Sequence, residues 1–382
     1  MTNLRPSLRA RARAAFAVLV CGVLGLASAA ALAQAAGAGR AGATPVDTPL
    51  DTPFGPPVVD GGWSEAVVSV SNLARSIEWL SSVARWEVRR RGTTDPALLR
   101  HWGLPAGASG AEALLCNPGD QSACVRLIRF LGVPAQVQIR SGAQAWEPGG
   151  IYSLMTRSRD TDAAFARHVA LGYGGVSDPI FFDYQGVQLK NVVLRGPDGV
   201  NLAIYERVKP PLTGWTTIRG LSSPFNAMQM VRDRDRARDF YVRVFGYEAL
   251  SNAEFLDPKP GPNNFGVPAN LVTSVSRRHA ILGIGVAGLG DGAGARQMEV
   301  MQFVGLEGRD LADRARIPNY GIAALRFPTA RLDERVRAAR EGGYEVGPVS
   351  EATIDGWGRV RVADVRSPDG ATVQLVEAVR GR

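Results

Sequence analysis

The chain has 382 residues and a formal net charge of +8, from 44 lysines and arginines against 36 aspartates and glutamates. Its basic residues are mostly arginines that alternate with acids, as in the stretch "VRDRDRARDF". This alternation is typical of a solvated helix face, whereas a nucleic-acid groove combines basic with aromatic residues. We therefore expect no nucleic-acid partner.

The N-terminal segment reads as an export signal. Four arginines precede an uncharged apolar run, and "ALA" at residues 31–33 matches the small-residue pattern of a cleavage site. We expect a signal peptide over residues 1–33, a periplasmic or secreted mature protein with a formal charge of +4, and no membrane contact after cleavage. A transmembrane anchor and a lipid anchor at Cys21 are the alternatives.

A tether and a first structural unit follow the signal. Residues 34–61 are rich in Pro, Gly and Ala and predict a linker. From Glu65 the chain predicts a strand, then a helix capped by Asn72, then further strands that end in "ACVRLIRF". Residues 226–303 repeat this order, from "NAMQM" to "RQMEVMQF".

Two cysteines, Cys116 and Cys124, flank a turn in the stretch "CNPGDQSAC". Asn, Pro, Gly and Asp between them predict that the two flanks fold back on each other. In an oxidising compartment such a pair predicts a disulfide. Two buried thiols and a metal pair remain as alternatives.

Two further units are shorter and start at Ile151 and Ile322, 171 residues apart. The same separation relates "RGPDGVNLAIYE" to "RSPDGATVQLVE", each of which predicts a Pro-Asp-Gly turn followed by an alternating strand. The chain therefore contains four βαβββ modules. We divide them into two domains, residues 62–212 and residues 213–382.

The sequence resembles the vicinal oxygen chelate superfamily, which includes glyoxalase I, extradiol dioxygenases and bleomycin-resistance proteins. The resemblance rests on "RDFYVRVFGYE", "GPDGVNLAIYE", "SPDGATVQLVE" and the order of the four modules. It implies an α+β fold with two glyoxalase-like domains, in each of which two modules form a curved sheet cup around a pocket.

The resemblance also implies where metal ligands would lie: at the start of the first strand and within the last strand of each module. These ligand positions are Glu65, Arg126, Ile151 and Ala203 in a first cup, and Asn226, Glu299, Ile322 and Gln374 in a second. None is a histidine, and a cation site needs several donors. We expect no cofactor and no metal in the first cup, while a weak divalent cation at Glu299 stays open.

Polar residues at these positions suggest two candidate sites. Glu65 and Arg126 predict either a structural ion pair or an arginine that binds a substrate anion. Glu299, with Asn226 and Gln374 beside it, predicts a general base, a weak cation site or a buried glutamate without chemistry.

Apolar and loop residues complete the predicted second site. Met228 and Met230 share the face of Asn226 and predict an adaptable apolar lining for a ligand. The Pro- and Gly-rich insert over residues 255–274 should overhang the same cup.

Three functions compete on these grounds. The first is a metal-independent isomerase or lyase that acts on a small, partly apolar molecule through Glu299. The second is a non-catalytic binding protein for such a molecule, and the third is a metal-dependent dioxygenase or glyoxalase-type enzyme. The sequence predicts a small-molecule ligand in each case and predicts no oligomeric state.

Overall fold

The computed structural model describes residues 58–184, 186–213, 215–216, 218–285 and 297–379. The predicted signal peptide and nearly all of the predicted linker lie outside these residues. In the described part, no helix has the length and apolar character needed to cross a membrane.

The first two modules contain nine strands and three helices. The first module consists of β1 (Glu65–Ser69), α1 (Leu73–Val83), β2 (Glu87–Thr93), α2 (Pro96–His101), β3 (Ser109–Asn117) and β4 (Asp120–Leu131). The second consists of β5 (Ile151–Arg157), α3 (Thr161–Ala170), β6 (Gly174–Gly175), β7 (Ile180–Tyr184), β8 (Val187–Arg195) and β9 (Asn201–Lys209).

The last two modules repeat this plan. The third consists of β10 (Asn226–Met230), α4 (Arg234–Phe245), β11 (Glu248–Phe255), β12 (Ser276–Gly283) and β13 (Gln297–Val304). The fourth consists of β14 (Gly321–Pro328), α5 (Leu332–Glu341), β15 (Glu345–Val346), β16 (Ser350–Ile354), β17 (Gly358–Arg366) and β18 (Thr372–Ala378). The α+β class and the four predicted modules are confirmed.

Side chains just ahead of three helices fix where those helices begin. Asn72 accepts a hydrogen bond from the N–H of Arg75 at 3.1 Å, and Asp160 accepts one from Ala163 at 2.8 Å. Asp233 caps α4 in the same way. Each cap satisfies a backbone donor that the first turn of a helix leaves without a partner. The predicted capping role of Asn72 is therefore confirmed.

The strands form two nine-stranded sheets. Sheet 1 has the order β15-β17-β18-β14-β1-β4-β3-β2, with β16 paired to β17. Sheet 2 has the order β11-β12-β13-β10-β5-β9-β8-β6, with β7 paired to β8. Sheet 1 therefore joins the first module to the fourth, and sheet 2 joins the second to the third.

This pairing corrects the expectation that consecutive modules share a cup. β1 runs antiparallel to β14 with Glu65 opposite Arg326, and β10 runs antiparallel to β5 with Asn226 opposite Met155. The segment after β4 is long enough to leave its own sheet. Its backbone hydrogen-bonds to both the N–H and the carbonyl oxygen of Tyr320, just ahead of β14. Each sheet therefore takes strands from both sides of the predicted boundary at residues 212 and 213.

The Pro-Asp-Gly turns join modules that lie in different sheets. Asp198, in the turn of the second module, accepts hydrogen bonds from the backbone N–H and the hydroxyl of Ser71 in the first module. Asp369, in the turn of the fourth, accepts from the backbone N–H and Nε of Arg232 in the third. The largest apolar cluster also takes side chains from all four modules.

Candidate functional site

The concave side of sheet 1 contains a buried ion network around Arg126. This guanidinium donates from Nε to Glu65 at 2.8 Å, from Nη1 to Glu112 at 2.6 Å and from Nη2 to the carbonyl oxygen of Asp355 at 2.7 Å. The side chain is almost completely buried. Its donors are therefore taken up by partners of the protein itself.

The fourth module supplies the other half of this network. Arg326 donates from Nη1 to Glu65 and from Nε to Oε1 of Gln374 at 2.8 Å. Gln374 in turn donates to Asp364 at 2.8 Å, and Nε1 of Trp357 donates to Glu65 at 3.1 Å. Arg326 thus occupies, opposite Glu65, the ligand position that the resemblance assigned to Ile322.

Electrostatics make this network a fixed structural feature. Burial would raise the pKa of Glu65, but the charges of Arg126 and Arg326 outweigh it and lower the pKa to about 2. The carboxylate is therefore ionised at neutral pH. Two buried guanidiniums would repel a divalent cation, so these residues do not fit a metal.

Two predicted ligand positions lie outside the concave faces because of β-bulges, and the pairing of the modules moves a third into the other cup. The register between β1 and β14 shifts between Val67 and Val68, which turns Ile322 into the apolar core beneath the helices. A matching shift between β10 and β5 does the same to Ile151. The expectation that Gln374 lies beside Glu299 is wrong, because β18 belongs to sheet 1.

The concave side of sheet 2 holds a cavity of about 720 Å³ with Glu299 in its lining. Glu299 lies on β13, opposite Met228 on one neighbouring strand and Ile281 on the other. Only 8% of the residue is exposed, and no hydrogen bond or ion pair joins its carboxyl to the described residues. Burial raises the pKa of Glu299 to about 8.

The other predicted residues of this site lie close to Glu299 in the sheet. Asn226 also lines the cavity, and its buried Oδ1 has no hydrogen-bond partner among the residues that the structure describes. It lies opposite Gln297, two residue pairs before the Met228–Glu299 pair, and no hydrogen bond joins it to Glu299. Met228 lines the cavity, whereas Met230 is fully buried in the apolar cluster beside it.

The predicted insert forms one wall of the cavity. Residues 255–258 and 262–265 contribute to the lining, and Phe265 packs against Phe303 with ring centroids 5.3 Å apart. Nδ2 of Asn264 donates to Oδ1 of Asn191 on β8 at 2.7 Å. The insert therefore extends across the cup, as predicted, and is tied to the opposite wall. That wall is formed by β7 and β8.

Several lining residues were not predicted from the sequence. Arg157 stacks over Phe225 at 4.3 Å, and Tyr205 and Arg207 lie on the adjacent strand. Tyr205 shares the face of Ala203 by strand alternation, a signal that was available in the sequence. Arg157 likewise shares the face of Ile151 by strict alternation, so the sequence carried a signal for it too.

The far end of the cavity is polar as well. Arg277 pairs with Asp257 at 2.5 Å and stacks over Phe255 at 4.3 Å. Nε2 of His279 lies 3.1 Å from the hydroxyl of Ser251. Burial, with the charge of Arg234, lowers the pKa of His279 to about 4, so the imidazole is neutral at pH 7.

The donors around Glu299 do not fit a catalytic divalent metal. The strand neighbours of Glu299 are Met228 and Ile281, and the nearest polar side chains of the lining, Asn226 and Gln297, add two amides to a single carboxylate. Among the described residues, no group of three or more His, Cys, Asp and Glu side chains could hold a metal ion. Zinc, iron and manganese sites in proteins need more donors than this.

The predicted disulfide is present. Cys116 and Cys124 are bonded, with Cα atoms 4.6 Å apart, on the neighbouring strands β3 and β4 of sheet 1. Neither residue lines the cavity. The bridge therefore closes the hairpin and takes no part in the candidate site.

Comparisons with known proteins agree with the fold. Residues 225–375 match the model of the Glyoxalase/Bleomycin resistance protein/Dioxygenase superfamily. Glyoxalase I from Zea mays is 17% identical, with a TM-score of 0.54 over 83% of this chain and 92% of that chain. A mutant of the Zea mays enzyme is 18% identical, with a TM-score of 0.54 over 84% of this chain and 94% of that chain.

Other comparisons add little. A putative dioxygenase from Bacillus subtilis is 14% identical, with a TM-score of 0.47 over 84% of this chain and 86% of that chain. No curated protein sequence matches the chain significantly. At such low identities, structural likeness extends to the fold and not to an activity.

Proposed function

We propose a function for this chain on the premise of its glyoxalase-like fold and of the match of residues 225–375 to the Glyoxalase/Bleomycin resistance protein/Dioxygenase superfamily. It binds a small, partly apolar molecule in the cavity of sheet 2. Glu299 exchanges a proton with the bound molecule in a metal-independent isomerase or lyase reaction.

The observation that carries this proposal is the isolated carboxyl of Glu299. A buried carboxyl is normally paired or hydrogen-bonded, because its desolvation is otherwise costly. Glu299 has no such partner among the described residues and lines a cavity of about 720 Å³. A ligand in that cavity would be the partner. Perturbed carboxyls in clefts are typical of functional sites.

The protonation state of Glu299 suits proton transfer. With a pKa of about 8, the carboxyl is mostly protonated at pH 7 and can act as a hydrogen-bond donor and general acid. About a tenth is ionised at that pH, and this fraction is a far stronger base than an ordinary carboxylate. Isomerisation, epimerisation and elimination all use such a group.

The size and lining of the cavity support an organic ligand. Small-molecule sites commonly enclose roughly 300–1,000 Å³ and combine an apolar lining with a few polar groups. The lining contains six aromatic side chains: Phe181, Phe182, Tyr205, Phe225, Phe255 and Phe265. Met155, Met228 and Met301 add flexible apolar surface.

The test begins with a screen of metabolites retained by the purified protein, read by mass spectrometry. A retained ligand is then incubated in D₂O, and deuterium at its carbon atoms is measured with wild type, Glu299→Gln and the lining control Met228→Leu. Exchange with wild type and Met228→Leu, but slower by about two to four orders of magnitude with Glu299→Gln, supports the proposal. Equal exchange with Glu299→Gln contradicts it.

A non-catalytic binding protein is the alternative that the apolar lining also favours. Its signature in the same experiment is a tightly retained ligand with no exchange in wild type. A metal-dependent dioxygenase or glyoxalase-type enzyme is the remaining alternative, and the donors around Glu299 do not fit it. A weak cation at Glu299 would be detected by metal titration.

Export is part of the proposal. The basic and apolar N-terminal segment and the "ALA" pattern support a signal peptide over residues 1–33. The bridge between Cys116 and Cys124 fits an oxidising compartment such as the periplasm. Mass spectrometry of the protein from its native host should find an N-terminus near Gln34, and an intact Met1 would contradict export.

A further inference from the structure

We propose that the ligand of the sheet 2 cavity carries an uncharged oxygen group, a hydroxyl or a carbonyl, and that Asn226 and Glu299 bind this group together. The inference rests on the proposed function, namely that the cavity binds a small organic molecule. It adds the chemical class of that molecule, and it makes Asn226 a specificity-determining residue.

Asn226 is a buried amide at the wall of the cavity. The residue is only 2% exposed, and within the described part of the chain its side chain, Oδ1 included, makes no hydrogen bond. Buried amides are normally hydrogen-bonded, because their polar atoms are otherwise desolvated without compensation. A molecule bound in the cavity would supply the missing partner.

The sheet places Asn226 close to Glu299. The two residues lie on the neighbouring parallel strands β10 and β13, and Glu299 is opposite Met228, two residues after Asn226. Neighbouring strands are about 4.8 Å apart and advance about 3.3 Å per residue, so the two Cα atoms are roughly 8 Å apart. Because both side chains line the same cavity, one small group of a ligand can contact both.

Both side chains can donate and accept hydrogen bonds. The carboxyl of Glu299 is mostly protonated at neutral pH, so its O–H donates and its carbonyl oxygen accepts. The amide of Asn226 has the same two capacities, and its last side-chain torsion is soft enough to turn either atom towards a ligand. A hydroxyl can therefore donate to one residue and accept from the other, and a carbonyl can accept from both.

The surroundings of this pair favour an uncharged group. The strand neighbours of the pair are uncharged: Met155, Met228, Ile281 and Gln297. An ion placed here would lose its hydration without gaining an opposite charge next to it. Arg277 is already paired with Asp257 at the far end of the cavity, and Arg157 lies roughly 13 Å from Glu299 along the strands.

The test uses four probes that share one naphthalene ring. 2-Naphthol carries a hydroxyl, 2-naphthoate an anion and 2-naphthylmethylammonium a cation, and naphthalene has no polar group. Fluorescence titration at neutral pH gives the Kd of each probe for wild type, Asn226→Leu, Glu299→Leu and Glu299→Gln. Ile281→Trp, which fills part of the cavity, shows whether a probe binds there.

Asn201→Leu is the matched control. Asn201 is also a buried asparagine, 3% exposed, and its Oδ1 has no hydrogen-bond partner in the described part of the chain. It does not line the cavity. The substitution therefore removes the same kind of amide away from the ligand, and it should leave the Kd of every probe unchanged.

The expected result separates the hydroxyl from the ring. 2-Naphthol should be the tightest probe for wild type, and Ile281→Trp should weaken it. Asn226→Leu and Glu299→Leu should each raise the Kd of 2-naphthol about 3- to 15-fold, because one hydrogen bond to the ligand is lost. Naphthalene should bind both variants no more weakly than wild type, which also shows that the cavity is intact.

Two further variants complete the set. Glu299→Gln keeps an uncharged donor and acceptor, so the Kd of 2-naphthol should stay within about threefold of wild type. Asn226→Ser is the second variant at that position if Asn226→Leu does not fold. Its side chain is too short to reach the same group, so we expect a similar loss of 2-naphthol affinity.

Contrary results separate this inference from the proposed function. If naphthalene binds in the cavity but 2-naphthol binds no more tightly, or the substitutions of Asn226 leave the ratio of the two Kd values unchanged, the inference is wrong and the proposed function stands. The same holds if the anion or the cation is the tightest probe. If Ile281→Trp changes the binding of none of the four, both are contradicted. Selective binding of 2-naphthol without deuterium exchange of the retained ligand would contradict proton transfer alone.

Discussion

The carboxylate of Asp198 accepts hydrogen bonds from the backbone N–H of Ser71 at 2.9 Å and from its hydroxyl at 2.6 Å. Ser71 follows β1 in sheet 1, whereas Asp198 lies in the Pro-Asp-Gly turn that precedes β9 in sheet 2. The bond therefore joins two sheets that share no strand pair. Asp369 makes the equivalent bond to Arg232, so the repeated turn connects the sheets twice.

Asp198→Ala should destabilise the protein by about 1–3 kcal/mol, because the partly buried backbone N–H of Ser71 loses its acceptor. Asp198→Asn should cost less, since Asn retains one acceptor oxygen and tolerates the positive φ of 58° at this position. Chemical denaturation measures both, with the exposed Asp178→Ala as the control. Equal stability of Asp198→Ala and wild type would contradict a connecting role.

Sequence reasoning succeeded where the signal is local. The cap at Asn72, the disulfide between Cys116 and Cys124 and the insert over the cavity each depend on residues close together in the chain. Placing Glu299 on a concave face required only the family order of modules and strand alternation.

It failed where the outcome depends on contacts between distant segments. All four modules present similar first strands, so local patterns do not specify whether β1 pairs with β5 or with β14. The register of β1 against β14 places Arg326 opposite Glu65, and the bulge between Val67 and Val68 turns Ile322 away from the cup; a bulge leaves no sequence signature here. Gln374 was assigned to the wrong cup for the same reason.

Glu65 tests the buried network of sheet 1. Glu65→Gln should lower the free energy of unfolding by about 3–5 kcal/mol at neutral pH, because Arg126 and Arg326 lose their shared carboxylate and stay buried. The pKa of Glu65 is lowered to about 2, so its contribution is complete above an ordinary pKa of 4.5 and declines as the pH falls towards 2.

The matched control is Glu351→Gln, which removes an exposed ion pair with Arg359. Exposed pairs contribute about 0–1 kcal/mol, so its effect should be small. Denaturation with urea at neutral pH compares the two variants. Similar losses in both would show that the network of Glu65 is not more stabilising than a surface pair.

The hydrogen bond from Asn264 to Asn191 predicts how the insert is held. Asn264→Ala should speed amide hydrogen exchange over residues 256–275, because the connection to β8 is lost. Ser274→Ala is the control, since its hydroxyl bonds only within the insert to Leu271. Mass spectrometry of the exchanged peptides measures the difference. Equal exchange in wild type and Asn264→Ala would show that apolar packing alone holds the insert.

Glu299 should make the stability of the protein fall as the pH rises. Its pKa is raised from 4.5 to about 8 in the folded chain, so between these values the folded state keeps a proton that the unfolded state has lost. Protonation then favours folding at low pH, and ionisation in the cavity opposes it at high pH. The shift corresponds to at most about 5 kcal/mol between about pH 4 and about pH 9.

Glu299→Gln should remove this dependence because glutamine does not ionise. The variant and wild type should have similar stability near pH 5, whereas near pH 9 the variant should be the more stable by up to about 5 kcal/mol. Urea denaturation at several pH values measures the crossover, with the exposed Glu341→Gln as the control. If wild type and Glu299→Gln share one pH profile, the carboxyl has an ordinary pKa, and proton transfer by a perturbed Glu299 is contradicted.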